Sequence, residues 1–560
     1  MKNKKLLIIL FLITLNFTFN FKALKYKFLS DDYPLIVNNE RIRNFDSFLK
    51  SATRQFFTTT EHPYLHYWRP VILFSYYLDY KIWKLNPGGY HFTNILIHTF
   101  NVILLFLILD ILTNNLIFSF SSSFIFSILP AHVESIFWIS GRTDLIATLF
   151  ILLTTLFLIK FFKARRHTFF TLSLLSFTLS LLSKEVAAIV PFILLFYLII
   201  KRIEKIQILK YSIHFFLIEA IYIFFHFKFS HANSVLKRLS LKDIPDTIKA
   251  LGIYFKIMFF PVFKTFYISM KEFDSTKFEY YLLAILFFIL ILFIYKYKNT
   301  LKFSFYPIPA LFFLLPVINP NILPSYPSIS MRFAYGSSVF ASILMGELFT
   351  KSLKFKNKAI VYTITLVLIF FYSYQYLKFQ KPFKSNKIYL KTLTKAYPNE
   401  GSLKLRLAYI KARKGKFKDA LILTEEAIKL NNTNKRLYLK EDASLFKANL
   451  LLILNKREEA RKIASQIYKN TKHNKSKYYA FLLLSKYYEK KRDWKKAIEY
   501  LLKAKKISEN ADLLFRLSLV YYYAGDYINS LHYLEKAKNL DSNLKYYYKL
   551  KNLILQKIKK

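Results

Sequence analysis

The sequence predicts an all-α protein: a polytopic membrane helical bundle of about eleven spans over residues 1–380, then a C-terminal α-solenoid of two-helix repeats over residues 385–560. Three observations predict it. The chain of 560 residues is 54% hydrophobic and 19% aromatic, too apolar for an ordinary soluble protein, yet its formal net charge is +50. Apolar runs and Lys-rich stretches occupy different parts of the chain, which separates a membrane domain from a basic, water-facing appendage. Finally, two stretches near the C-terminus align with each other at an offset of about 33 residues, a length typical of helical repeats.

The first element is the apolar run from Lys5 to about Phe21. It resembles a signal peptide, but Leu24 to Phe28 offers no small-x-small cleavage site, so it reads as a first transmembrane helix. Its basic start places the N-terminus in the cytoplasm and the acidic pair Asp31-Asp32 outside. Further runs long enough to cross a hydrocarbon core of about 30 Å lie near 90–112, 117–139, 143–162, 168–183, 186–200, 208–229, 279–295, 304–323, 333–350 and 359–378. With these spans Lys163, Arg165 and Arg166, Lys201-Arg202, Lys296 and Lys298, and Lys351 to Lys358 all fall on the cytoplasmic side. The stretch 247–270 is read as interfacial or re-entrant, because a full span there would invert everything after it. Residues beyond about 380 then lie outside the cytoplasm. An excess of Lys suits anionic lipid, and nucleic acid is discounted as a partner because no binding signature for it is present. Cysteine is absent, which removes disulfides, thiolate nucleophiles and Cys-ligated metals.

In the C-terminal part, Ser485, Tyr488, Ala497, Leu501 and Ala504 keep the spacing of Ser518, Tyr521, Ser530, Leu534 and Ala537. Small residues at the first, third and fifth places let two helices approach, while Tyr and Leu fill the groove to the neighbour. Gly415, Phe417, Ala420 and Ala427 mark a third unit, and Ala448 to Ala464 a weaker fourth. These units resemble tetratricopeptide repeats, with a plain helical bundle as the alternative.

Polar residues in the membrane half are costly and so informative. His91, Asn94, His98 and Asn101 fall within roughly 80° of arc on one helix, a stripe that should face the bundle interior. It serves either binding or interhelical hydrogen bonding. Between the third and fourth spans Pro130, His132, Glu134, Trp138, Gly141, Arg142 and Asp144 form a dense polar hairpin that the topology puts at the outer surface. Such a hairpin could hold phosphate through Arg142 and His132, with Glu134 and Asp144 orienting them; the alternative is an Arg–carboxylate pair that fixes the turn. Ser183-Lys184-Glu185, Tyr67-Trp68-Arg69-Pro70 and Met331-Arg332 with Tyr335 gather at the same membrane face, near Asp31 and Asp32.

In that order, Asp31-Asp32-Tyr33-Pro34 with Asn38-Asn39, Trp68-Arg69-Pro70, Tyr90-His91 through Asn94 to His98, Pro130 to Glu134, Trp138 to Asp144, Ser183-Lys184-Glu185 and Arg332 to Tyr335 resemble the motifs of the transmembrane and tetratricopeptide-repeat family of protein O-mannosyltransferases, of the GT-C glycosyltransferase superfamily. One departure is Met331, where members of that family generally carry Glu, which leaves the partner of Arg332 in doubt.

The resemblance implies transfer of a sugar, mannose in that family, from a polyprenyl-phosphate donor to an acceptor hydroxyl outside the cytoplasm, with protein Ser or Thr as acceptor. A hydroxyl is a weak nucleophile, and Asp31 or Asp32 is the expected base in a single inverting displacement. Arg69, His132, Arg142, Lys184 and Arg332 are the cations available to the departing phosphate. His91, His98, Glu134, Asp144, Glu185 and Tyr335 complete the expected substrate-binding set. No metal-ligand spacing such as His-Glu-x-x-His occurs, although paired carboxylates can hold a divalent ion against a phosphate, so the metal stays open. The expected partners are membrane lipid, the lipid-linked sugar and an acceptor protein held by the repeats. The expected setting is a prokaryotic plasma membrane with the repeats extracytoplasmic. Two other readings remain: a non-catalytic membrane scaffold of an envelope complex, and a GT-C enzyme acting on a lipid or glycan.

Overall fold

The computed structural model describes residues 2–54, 56, 67–200, 205–230, 243–266, 268, 278–296, 314–315, 329–431, 437–471, 473–540 and 546–558. The described elements are all helical, as expected, and the chain divides into two units, Met1–Ala396 and Tyr397–Lys560.

In the first unit the order is α1 (Lys2–Asn20), α2 (Phe45–Ser51), α3 (Pro70–Trp83), α4 (Pro87–Thr113), α5 (Leu116–Ile128), α6 (Val133–Phe137), α7 (Arg142–Ala164), α8 (His167–Leu181), α9 (Val190–Ile200), α10 (Lys205–Ser230), α11 (Ile244–Phe259), α12 (Phe278–Lys296), α13 (Tyr335–Ser352), α14 (Lys358–Gln380) and α15 (Asn386–Ala396). Helices stand in each described region where a span is expected, with the exception of the break in 117–139. Among the described residues five helical stretches are long and apolar enough to cross a membrane: Asn3–Lys25, Pro87–Thr113, Ile139–Ala164, Leu209–Phe229 and Lys358–Lys384. The bent pair around Pro130 makes a sixth. Helices such as α8, with 15 residues, reach only about 22 Å at 1.5 Å per residue. The run 304–323 lies outside the described residues except for 314–315, and so do the Pro-rich loop 320–327 and the basic residues Lys201, Arg202 and Lys298.

Three expectations change. The run 117–139 is not one helix: it breaks after Ile128, where Leu129 is extended ahead of Pro130, and the two halves meet at 49°. Pro lacks the amide that would continue the ladder, and it disfavours helical backbone in the residue before it. The hairpin around Arg142, expected at the outer surface, is packed into the protein: every residue from Pro130 to Phe137 and from Ile139 to Asp144 is buried. Thirdly, the first inter-span loop holds a helix of its own, α3, capped by Pro70 at its first turn.

Local chemistry explains the tight connections. Asn114 closes α4 in the left-handed conformation (φ 51°), and the Asn115 side chain accepts from the Phe118 amide to start α5. The polar stripe on α4 does face inward, with His91, Asn94, His98 and Asn101 all fully buried. Asn94 Nδ2 donates to the carbonyls of Ile136 and Trp138 (both 3.3 Å), and Asn101 Nδ2 to that of Leu145 (3.0 Å). Part of the stripe therefore satisfies backbone that the helix break sets free.

The second unit consists of helical hairpins: α16 (Gly401–Arg413) with α17 (Phe417–Asn431), α18 (Leu437–Ile453) with α19 (Arg457–Asn470), α20 (Asn474–Lys490) with α21 (Trp494–Ile507), and α22 (Ala511–Tyr523) with α23 (Tyr527–Leu540), followed by α24 (Tyr547–Ile558). Gly415, Asn455, Arg492 and Gly525 take positive φ at the four hairpin turns. The small positions of the repeat, Ser485, Ala497, Ala504, Ser518, Ser530 and Ala537, are all fully buried. Tyr488 stacks on Tyr500 with centroids 5.6 Å apart, and one repeat later Tyr521 stacks on Tyr533 at 5.4 Å.

The crossing of α5 and α13 depends on the absence of a side chain. A Cβ at Gly346 would stand 2.8 Å from the Ser122 amide nitrogen and 2.9 Å from its Cα. Gly346→Val is expected to lower stability by about 1–3 kcal/mol through overpacking, measured as the thermal midpoint of the protein in detergent.

Candidate active site

The 3-10 turn Phe21–Lys25 leads from α1 into the acidic pair, which opens a short, wide π-helical turn at Tyr33–Val37. The two aspartates then separate in role. Asp32 is fully enclosed and accepts from the Leu29 amide (2.8 Å), the Ser140 amide (2.9 Å) and the Ser140 hydroxyl. Asp31 is half-buried, and its carboxylate accepts only from the Ser30 hydroxyl at 3.2 Å among the described residues. Asp32 clasps the first loop to the broken helix; Asp31 keeps its lone pairs for something else.

Four of the five expected cations, all but His132, have a carboxylate partner. Arg69 grips Glu185 with two bonds, Nε to Oε1 at 3.1 Å and Nη2 to Oε2 at 2.6 Å, and lies 4.1 Å from the Tyr67 ring centroid. Lys184 pairs with Asp144 and sits 4.8 Å from the centre of the Phe333 ring. Arg142 pairs with Asp79 at 2.6 Å, and Arg332 approaches Glu134 at 3.8 Å. Glu134 also accepts from the Arg332 amide at 3.2 Å and the Ser330 hydroxyl at 2.5 Å. The doubt raised by Met331 is thereby resolved: Glu134, on a different element, takes the place of an adjacent acid.

Exposure sorts these pairs. The Arg142 side chain is 0% exposed and is further held by Asn94 Oδ1 (2.9 Å) and the Tyr90 carbonyl (3.0 Å). It locks α3, α4 and α7 together and has no donor turned to a substrate, which corrects its expected place on a phosphate. Arg332 is 18% exposed and rests 4.7 Å from the Trp138 ring centroid. Lys184 and Asp144 line a small cleft with Thr148, Val186, Phe333, Gly336 and Ser337.

The charges share one neighbourhood. Burial pushes the Tyr67 phenol up, and around it act the charges of Arg69, Glu185, Arg332 and Asp31. Burial likewise pushes the Lys184 ammonium down, opposed by Asp144 and reinforced by Arg69 and Arg332.

The remaining expected residues sit deeper. His98 shares a hydrogen bond of 2.7 Å with the Tyr335 hydroxyl, to which Asn101 also donates at 3.0 Å. His132 shares one of 2.7 Å with the Ser338 hydroxyl, and its ring lies 5.3 Å from that of His98. His91 packs edge-on against Tyr26 at 6.1 Å. His91, His98, His132 and Tyr335 are all fully buried inside the bundle and stand apart from the cleft lining. Among the described residues no group of three His, Asp or Glu side chains is placed to hold a metal ion together. Sequence reading missed Asp79, Ser140 and Ser330. Asp79 alone left a trace, as the one acid on the otherwise apolar and aromatic α3.

An integral membrane bundle with paired charges around a cleft defines the class: polytopic membrane proteins with a polar site where helices meet their connecting segments. Residues 62–227 match the family model described as dolichyl-phosphate-mannose-protein mannosyltransferase. The chain is 30% identical over 148 residues to protein O-mannosyl-transferase F38B6.6 of Caenorhabditis elegans, a stretch covering 25% of this chain and 21% of that protein. It is 34% identical over 101 residues to protein O-mannosyl-transferase TMTC2 of Homo sapiens (18% and 12%), and 29% identical over 100 residues to Tmtc1 of Drosophila melanogaster (18% and 11%). The matched stretches thus span about a fifth or less of these relatives. Together these findings bear out the resemblance: over these stretches the chain is similar to the transmembrane and tetratricopeptide-repeat protein O-mannosyltransferases.

Burial pushes the Asp32 carboxyl up to about 7 from 3.8, against the lowering effect of its donors Ser140 and Leu29. Between about pH 4 and 7 the folded state then binds the extra proton, so this group's contribution to stability falls as pH rises through that window and levels off above it. Thermal midpoints across this range should show the slope in the native protein and lose it in Asp32→Asn.

Proposed function

We propose that the protein transfers mannose from a polyprenyl-phosphate donor to a Ser or Thr hydroxyl of a protein, on the extracytoplasmic side of a prokaryotic plasma membrane. The observation that carries this reading is Asp31, a half-buried carboxylate with one weak local donor, whose charge reaches Tyr67 together with those of the paired Arg69, Glu185 and Arg332. The matched family and the names of the relatives support a mannosyltransferase acting on protein.

In the proposed reaction the acceptor hydroxyl gives its proton to Asp31 as its oxygen attacks the anomeric carbon. The bond from that carbon to the phosphate oxygen breaks in the same displacement, with inversion. Arg332 and Lys184, the cations nearest the cleft that keep some exposure or line it, stabilise the charge on the departing lipid phosphate, and Arg69 holds Glu185 behind them. Aromatic faces at Trp138 and Phe333 keep both cations in place without quenching their charge. Asp32 acts through position alone.

The test is incubation of the purified protein with labelled polyprenyl-phosphate mannose and Ser/Thr peptides, followed by mass spectrometry of the products. Asp31→Asn is expected to lower turnover by about a hundredfold or more while leaving the thermal midpoint in place. Full activity of a folded Asp31→Asn variant would favour the scaffold reading instead. The proposal gives no step to a metal ion, so product should form equally with a chelator present. Loss of product, restored by one added divalent ion, would revise that part.

A further inference from the structure

The second unit carries a cluster of cations that sugar transfer does not use. Helices α18, α20 and α22, the first members of three successive hairpins, meet through it. Lys486 Nζ on α20 donates to Asn449 Oδ1 on α18 at 3.3 Å, and Lys490 Nζ donates to the Leu452 carbonyl at 2.8 Å. Arg516 on α22 sends Nε and Nη2 to a single oxygen of Glu489 (3.1 and 2.7 Å), and Ser485 donates to that same oxygen at 2.8 Å. Three cations therefore surround one carboxylate, and that carboxylate is already occupied.

Elsewhere in this unit partly exposed lysines find acids: Lys404 pairs with Glu426, Lys447 with Glu425, Lys475 with Asp442 and Lys551 with Glu535. Among the described residues Lys486 and Lys490 have only neutral oxygens. Burial pushes the Lys486 ammonium down, and the neighbouring charges of Arg516 and Lys490 add to the effect. Holding like charges beside the partly buried Lys486 costs stability, and the hairpin packing, made by the small residues and Leu, does not require it. An incoming anion would lift that cost.

We propose that this face binds the carboxylates of an acidic segment of a partner protein. The chemistry favours carboxylate over a polyanion. Glu489 keeps one negative charge inside the cluster, which repels a phosphate dianion or a nucleic-acid backbone more than it repels a single carboxylate. Two ammonium groups that share a single nearby carboxylate and bond only to neutral oxygens suit successive acidic side chains of an extended chain, and Asn449 adds an amide donor beside them.

The experiment is fluorescence anisotropy of the full-length protein in detergent with a short labelled peptide rich in Asp and Glu, against its Asn/Gln counterpart and a short RNA. The acidic peptide is expected to bind and the neutral one to fail. Lys486→Met with Lys490→Met keeps the apolar stems and should weaken binding by about tenfold or more. Lys495→Met with Lys506→Met changes net charge equally at exposed positions of α21 and should leave binding unchanged. Circular dichroism confirms that both double variants fold. Equal weakening by the two pairs, equal binding of the neutral peptide, or tighter binding of the RNA would each overturn the proposal. Because the readout is peptide binding without sugar transfer, its failure is distinguishable from failure of the catalytic reading.

Discussion

One buried carboxylate sets the geometry of the membrane unit. Asp32 takes a hydrogen from its own loop at Leu29 and two from Ser140, residues that lie 108 positions apart in the chain in the latter case. That clasp joins the segment after α1 to the segment after the helix break. Part of the site's polarity hangs from the two sides of the clasp: Asp31 on the first, Glu134, Arg142 and Asp144 on the second. A buried acceptor of this kind is costly to leave unpaired, so the two segments hold each other in a single arrangement.

The four cation–carboxylate pairs extend the same logic. Inside a bundle a charge without a partner is expensive, and a buried pair adds little net stability over an apolar one, so the value of these pairs lies in fixing positions. They are not equivalent. Arg142 and Asp79 are sealed between α3, α4 and α7 and act as a lock, whereas Lys184 opens on the cleft and Arg332 lies part-exposed over Trp138. The same residue types thus serve as frame in one place and as working surface in another, and solvent access is what separates them.

Much of this was legible in the sequence, and the gaps have physical causes. Helices fall where apolar runs predict them, the inward stripe on α4 followed from its period, and the repeat positions from Ser485 to Ala537 are buried as their spacing required. Hydropathy averaged over 117–139 did not locate the break, although Pro130 and the polar residues His132 and Glu134 after it gave a local signal. Helix α3 carries Asp79 and Lys81 and so fell below the polarity limit of a span. The partner of Arg142 was unreadable because Asp79 lies 63 residues upstream (142 − 79), and the pairing is made by the fold alone. Asp31 and Asp32 are chemically identical neighbours in the sequence, and only burial and donors tell them apart.

The kink at Pro130 has a consequence for how the chain is made. Just beyond it the Glu134 carboxylate accepts from the Ser330 hydroxyl and the Arg332 amide, which emerge from the ribosome nearly two hundred residues later, with a separation of 196 positions for Ser330. Until then the half-finished bundle holds an ionisable group with no counterpart, in a segment that lipid alone does not accommodate. Biogenesis must therefore delay the closing of this corner, and the late helices act as a latch on a door framed much earlier.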